Sequence, residues 1–214
     1  MSELINEVLI VDDHPMLRKG IIDLLELEDD LNAVGEASNG RDAVTKALEL
    51  DPDLILMDLN MPGMNGIETI KALRSAGVDS RILVFTVSDD EKNIVESLKE
   101  GADGYLLKDM EPEALLDKIR DAMSGKTIIS PTLTEVLASA IRQRQQRDEA
   151  DIDTLTAREK QVLKLIANGK SNKMIARKLD IAEGTVKVHV KRLLNKLGMR
   201  SRVEAAVWVA HSGR

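Results

Sequence analysis

Apolar residues in the first half of the chain come in short runs: Val8-Leu9-Ile10-Val11, Ala33-Val34, Leu54-Ile55-Leu56-Met57, Ile82-Leu83-Val84-Phe85 and Tyr105-Leu106-Leu107. Unbroken apolar runs of this length suit strands covered on both faces. Between and after them lie segments with helical spacing of apolar positions, near 15–28, 40–50, 65–76, 90–100 and 112–123, with Gly35, Gly77, Gly101 and Gly104 as punctuation. This alternation predicts an α/β unit over residues 1–124, a doubly wound parallel sheet with helices on both faces.

The pattern then changes twice. Over 125–153 the alternation stops: Pro131 interrupts it, a helical stretch is predicted near 132–147, and Arg142 to Glu149 is polar without an apolar stripe, as expected of a linker. From 154 to 214 four short helices are predicted. Thr156-Ala157-Arg158-Glu159 and Ser201-Arg202-Val203-Glu204 read as capping boxes, Ser171 as a cap, and Asn168-Gly169 and Gly198 as stops. Short helices on tight turns suit a small all-α helix-turn-helix unit.

Charge divides the chain at the same places. The segments 1–125, 126–153 and 154–214 carry about −16, about −1 and about +10, which together give the net −7. A basic helical unit behind an acidic α/β unit points to nucleic acid as partner of the former. The only aromatic residues are Phe85, Tyr105 and Trp208, so stacking on single-stranded bases is not the expected mode and double-stranded DNA is. The absence of Cys excludes disulfides and thiolate metal sites. The start MSELINE has no basic, then apolar, leader character, and no apolar run approaches a membrane span, so a cytoplasmic protein without membrane contact is expected.

Candidate chemistry lies just past the strands. Asp12 and Asp13 follow the first, Asp58 the third, Thr86 the fourth and Lys108 the fifth. In a parallel sheet these ends share one edge, where ligands collect in open α/β folds. Clustered carboxylates repel unless a cation sits among them, and an oxygen-rich set without Cys favours Mg2+. A carboxylate beside Mg2+, with a Lys and a hydroxyl to receive phosphoryl oxygens, describes an aspartyl-phosphate site. His14, opening the first helix, reads as a surface residue.

In the helical unit, Val186, Val190, Leu193 and Leu197 form one stripe of the third helix and should face its core. Lys187, Lys191 and Arg192 lie elsewhere, and Val188 sits opposite the stripe, where a major groove would offer thymine methyls and phosphates. His189 is expected to pack. The last helix is apolar on two faces. Val203, Ala206, Val207 and Ala210 are expected to face the unit's own core, and Ala205, Trp208 and Val209 a second subunit.

Val11-Asp12-Asp13-His14-Pro15, Met57 to Gly63, Phe85-Thr86 and Tyr105 to Asp109 resemble the receiver domain of bacterial two-component response regulators. Leu155 to Glu159, Asn172 to Ala176 and Thr185 to Val190 resemble the LuxR-type DNA-binding domain. Nearly the whole chain is thus similar to the NarL/FixJ family, and Gly104 to Pro112 with Ser201 to Val209 is similar to its nitrate/nitrite-responsive members. The resemblance implies a (βα)5 flavodoxin-like receiver in which a sensor histidine kinase phosphorylates Asp58. Asp12, Asp13, Asp58 and the Asn60 carbonyl would hold Mg2+, Thr86 and Lys108 would engage the phosphoryl oxygens, and Tyr105 would switch with Thr86. It further implies release of the helical domain to bind promoter DNA as a homodimer, with RNA polymerase as a further partner, controlling nitrate/nitrite-responsive anaerobic respiration genes. The chain would be no enzyme beyond its own phosphoryl transfer and dephosphorylation. Receivers of this kind usually carry Pro after the active-site Lys, where this chain has Asp109, which leaves that peptide's geometry open. Two other classes use the same residues: an aspartate-based phosphatase acting on a small ester, and a constitutive DNA-binding protein with a relic receiver.

Overall fold

The computed structural model describes residues 5–124 and 152–212; the linker helix expected near 132–147 lies outside them. Five strands, β1 (Asn6–Val11), β2 (Leu31–Ala37), β3 (Leu54–Met57), β4 (Arg81–Thr86) and β5 (Gly104–Leu107), form one sheet in the order β2-β1-β3-β4-β5. All pairings are parallel. The intervening helices are α1 (Pro15–Glu26), α2 (Gly40–Leu50), α3 (Gly66–Ser75), α4 (Glu91–Glu100) and α5 (Pro112–Ser124). This is the doubly wound, flavodoxin-like sheet that the alternation predicted.

Successive strand side chains point to opposite faces, and the core divides accordingly. Val8, Ile10, Leu54, Leu56, Leu83, Phe85 and Leu106 pack against Ile21 and Leu25 of α1 and Leu115, Leu116 and Ile119 of α5. Leu9, Val11, Ile55, Met57, Ile82 and Val84 pack against Ala43 and Ala47 of α2, Ile70 and Leu73 of α3 and Leu98 of α4. Strand β2 is longer than its apolar pair Ala33-Val34. It is an edge strand with Asn32 and Glu36 exposed, so burial imposes no continuous apolar run on it.

The eight-residue segment 58–65 sets the end of β3 against the start of α3. Asn65 and Glu68 form a reciprocal capping box at the start of that helix. Gly66 lies so close to the chain ahead of it that a Cβ there would stand 2.2 Å from the Asp58 carbonyl oxygen. Only glycine allows α3 to begin directly against the end of β3.

The second unit has a short 3-10 turn (Ile152–Thr154) and four helices, α6 (Ala157–Ala167), α7 (Asn172–Leu179), α8 (Glu183–Lys196) and α9 (Arg202–Ser212). Val186, Val190, Leu193 and Leu197 of α8 are all buried, as their spacing predicted. At α9, Ser201 Oγ accepts from the Glu204 amide at 3.1 Å, and the Glu204 carboxylate accepts from the Arg200 amide at 2.6 Å.

The capping box at α6 is closed from both sides. Thr156 Oγ1 accepts from the Glu159 amide at 3.3 Å, and Glu159 Oε2 accepts from the Thr156 amide at 2.8 Å and from Lys196 Nζ of α8 at 2.7 Å. The Lys196 hydrogen bond, outweighing burial, holds the Glu159 carboxyl down to about 2. A depressed carboxyl pKa stabilises the fold above its unfolded value, and that contribution fades as the pH falls toward the folded value. Glu159→Gln is expected to cost about 1–3 kcal/mol at neutral pH. In chemical denaturation followed by Trp208 fluorescence, the gap between wild type and variant should narrow between pH 7 and pH 3; a gap of constant size would rule out the ion pair as its source.

Candidate functional site

The backbone ladder itself delivers the polar residues to the carboxyl edge of the sheet. The amide of Asp12 donates to Ala37 O at 3.1 Å, that of Asp58 to Val11 O at 2.8 Å, and that of Lys108 to Thr86 O at 2.9 Å. The rim residues are therefore held by continuations of the parallel pairing and not by loops of their own. Lys108 Nζ lies 2.6 Å from Asp12 Oδ2 and 3.0 Å from Asp58 Oδ2, joining the ends of three strands. Asp12 and Asp58 are each 2% exposed. Carboxylates so buried hold their charge only with a cation close by, and Lys108 is that cation. The Asp58 Oδ1 atom is buried and has no hydrogen-bond partner among the described residues.

One carboxylate oxygen from each of Asp12, Asp13 and Asp58, with a ring nitrogen of His14, lie within 4.8 Å of one another. Three carboxylates, one with an orphaned buried oxygen, form a donor set that fits a hard divalent cation. Thr86 is fully buried, and its Oγ1 accepts from Asn60 Nδ2 at 3.4 Å. The Tyr105 hydroxyl, half-buried, donates to Ser88 O at 2.8 Å, and burial raises its pKa. Among the described residues there is no cis peptide bond, so Lys108–Asp109 is trans. Sequence reading missed Arg18, whose Nη1 donates to the Asp12 carbonyl at 2.7 Å and whose Nε donates to Glu36 at 2.8 Å. Its place in the first turn of α1, next to the strand end that carries Asp12, was the available signal.

The helical unit docks at the opposite edge, where strands begin and helices end. Lys187 Nζ donates to Asp51, the C-cap of α2, at 2.5 Å to the carboxylate and 3.2 Å to the carbonyl. The Lys191 side chain lies over Gly77 at the end of α3, and Arg200 pairs with Glu100 at the end of α4. Lys173 donates to Asp53 Oδ2 and Ile5 O, each at 2.6 Å. Cations thus meet the carboxyl ends of three helices, where the backbone carries partial negative charge. Burial disfavours the Lys187 charge, but the Asp51 hydrogen bond and charge outweigh it and its pKa is raised. Of the four expected DNA contacts, Lys187 is half-buried at this interface and Lys191, though exposed, lies against Gly77, whereas Val188 is 46% exposed and Arg192 is exposed.

The last helix does not follow the expected division of its faces. Ala205 is fully buried in the helical unit's own core, with Ala206 and Val209 packed against it. Val203 and Val207 instead join the core cluster on the α2–α4 face of the sheet, and Trp208 packs against both clusters. In this conformation the second apolar face is covered by the chain's own α/β unit. His189 is half-buried, its Nδ1 without a hydrogen-bond partner among the described residues.

Both units match known protein families. The model of the response regulator receiver domain matches residues 8–120, and that of the luxR family of bacterial regulatory proteins matches residues 153–209. The chain belongs to the response regulators with a LuxR-type DNA-binding domain and is a regulator of transcription. It is 56% identical over 202 residues to the nitrate/nitrite response regulator protein NarL of Escherichia coli (strain K12), covering 94% of each chain. It is 46% identical over 201 residues to NarP of the same strain, covering 94% of this chain and 93% of that one. Among solved structures, the response regulator ChrA of a heme-sensing two-component system is 34% identical over 98% of both chains, with a TM-score of 0.50. The RcsB–DNA complex is 26% identical over 96% of this chain and 98% of that one, with a TM-score of 0.55. No helix among the described residues is long and apolar enough to cross a membrane.

Replacing Asp51 by Asn and Glu100 by Gln removes two docking charges while keeping shape, and Asn tolerates the left-handed backbone (φ 47°) at position 51. The double variant is expected to show a red-shifted Trp208 emission and stronger quenching by acrylamide than wild type at low salt. Identical spectra would mean that these helix ends do not hold the unit in place.

Proposed function

We propose that this chain is a phosphorylation-gated transcription factor in which a sensor histidine kinase modifies Asp58, and that residues 1–124, 125–153 and 154–214 act as receiver, linker and DNA-binding domain. The observation that carries the reading is the Lys108 ammonium shared by Asp12 and Asp58 at 2.6 and 3.0 Å. It offsets one of the two acidic charges at rest and stands where a phosphoryl group on Asp58 would place its oxygens. In the transfer, an Asp58 carboxylate oxygen attacks phosphorus, the phosphorus–nitrogen bond to the kinase imidazole breaks, and that imidazole leaves neutral after taking a proton. Lys108 and the Thr86 hydroxyl then donate to the phosphoryl oxygens, and later attack of water on phosphorus breaks the bond to the Asp58 oxygen, releasing inorganic phosphate and the free carboxylate. Asp12, Asp13, Asp58 and the Asn60 carbonyl are the groups that would hold Mg2+, which when bound neutralises charge on the transferred phosphoryl group.

Drawing Thr86 toward the phosphoryl group would vacate space beside β5 into which Tyr105 turns, giving up its bond to Ser88. That change biases an equilibrium between a docked and a free helical domain. The docked state occupies Lys187 and Lys191, so it competes with DNA for the same side chains. Release would let Lys187, Val188, Lys191 and Arg192 enter the major groove of promoter DNA and expose the Val203, Val207 and Trp208 face, on which two copies would pair. Identity to NarL and NarP supports nitrate/nitrite-responsive genes as targets.

Asp58→Asn should abolish labelling by radioactive acetyl phosphate; retained labelling would move the acceptor elsewhere. In the acetyl-phosphate-treated full chain, Lys191→Ala should weaken promoter binding and lower the slope of log affinity against log salt by about one. An unaltered slope would take Lys191 off the phosphate backbone.

A further inference from the structure

His14 was expected to be a surface residue, and its ring is 68% exposed, yet the ring is turned onto the acids. Its Nδ1 lies 2.8 Å from Asp13 Oδ1 and 3.2 Å from Asp12 Oδ1, and its backbone amide donates to Asp12 Oδ1 at 2.8 Å. His14 is the N-cap of α1 but makes no capping hydrogen bond with its side chain; its ring is instead paired with the Asp12 and Asp13 carboxylates, which a cation among them would take over as ligands together with Nδ1. Its ligating nitrogen belongs to the same group of atoms within 4.8 Å as oxygens of Asp12, Asp13 and Asp58. Ligand atoms on opposite sides of a single divalent ion stand roughly 4 to 5 Å apart, so one ion can reach all of them. Lys108 engages Oδ2 of Asp12 and of Asp58, while Asp58, only 2% exposed, leaves Oδ1 without a partner among the described residues.

A nitrogen donor changes what such a site selects. Three carboxylates alone suit Mg2+, whereas an imidazole adds affinity for first-row transition metals, rising from Mn2+ toward Cu2+. The exposed ring leaves Nε2 free to carry the proton that a neutral, Nδ1-ligating imidazole requires. We propose that His14 Nδ1 is a further ligand of the rim cation site and that the site, while able to hold Mg2+, therefore prefers a transition-metal dication such as Mn2+ or Co2+ under mixed nitrogen and oxygen ligation. The inference rests on the acid cluster being the cation site of the function proposed above.

The two can be separated by electron paramagnetic resonance of Mn2+ added to the full chain. The free-ion signal should fall as Mn2+ binds, binding should be lost in Asp13→Asn, and spin-echo spectra should show nitrogen hyperfine modulation that vanishes in His14→Ala while Mn2+ still binds. Competition titrations should show Co2+ affinity lowered about tenfold in His14→Ala and Mg2+ affinity altered less than about twofold. Bound Mn2+ without imidazole modulation, or modulation that persists in His14→Ala, overturns the ligand and leaves the acid site intact. Failure of the wild-type chain to bind Mn2+, or binding indifferent to Asp13→Asn, overturns both.

Discussion

The direction shared by all five strands is the constraint on which the rest of the molecule depends. In a parallel sheet every strand ends on one edge and every covering helix ends on the other, so the two edges differ in chemistry before any side chain is chosen. The first edge gathers Asp12, Asp13, Asp58, Thr86 and Lys108 from four strands. The second gathers the carbonyl ends of α2, α3 and α4, already partly negative, and adds Asp51, Asp53 and Glu100. A basic helical domain finds there a surface resembling a row of phosphates. Strand β4, with Thr86 at one end and Arg81 at the other, spans the roughly 20 Å between them.

The docked arrangement also contains its own opposition. Arg202 is almost wholly buried between the units, donating to Lys170 O and Asn172 Oδ1. Close by lies the buried Arg81, whose guanidinium burial and the Arg202 charge bring down to about 9. Asp79, within reach of Asn172 at 3.4 Å, is desolvated enough that its pKa is raised. Like charges brought together out of water oppose the association that buries them, so the apolar contacts of Val203, Val207 and Trp208 are partly offset. A modest change at the far edge can therefore shift such a balance.

Much of this was legible in the sequence because local rules act there without competition. The five apolar runs became the five strands, and the Val186, Val190, Leu193, Leu197 stripe became the buried face of α8, since both follow from periodicity alone. The strand-end residues could be placed on one edge from topology without knowing any distance. The faces of α9 could not be assigned this way: a helix apolar on two sides says that two partners exist, not which is which. The Arg74, Arg81, Asp103 and Arg202 cluster was invisible for a related reason. Arg74 donates to Val78 O and Ser80 O in the loop just after its helix, but also to Gly101 O and Asp103, 27 and 29 residues away, and it is these distant partners that no sequence pattern reveals. Charged side chains are read as solvated until the fold encloses them.

The bend after α2 places two demands on one residue. Asp51 holds a backbone angle of φ 47° that L-residues adopt reluctantly and glycine adopts freely. Its carboxylate is also the hold on Lys187. A residue better suited to the bend would make the receiver's own chain more comfortable and loosen its grip on the helical domain. At this position local backbone ease and the setting of the resting state pull in opposite directions, so thermal hardening of the receiver and leakiness of the switch should be coupled through one side chain.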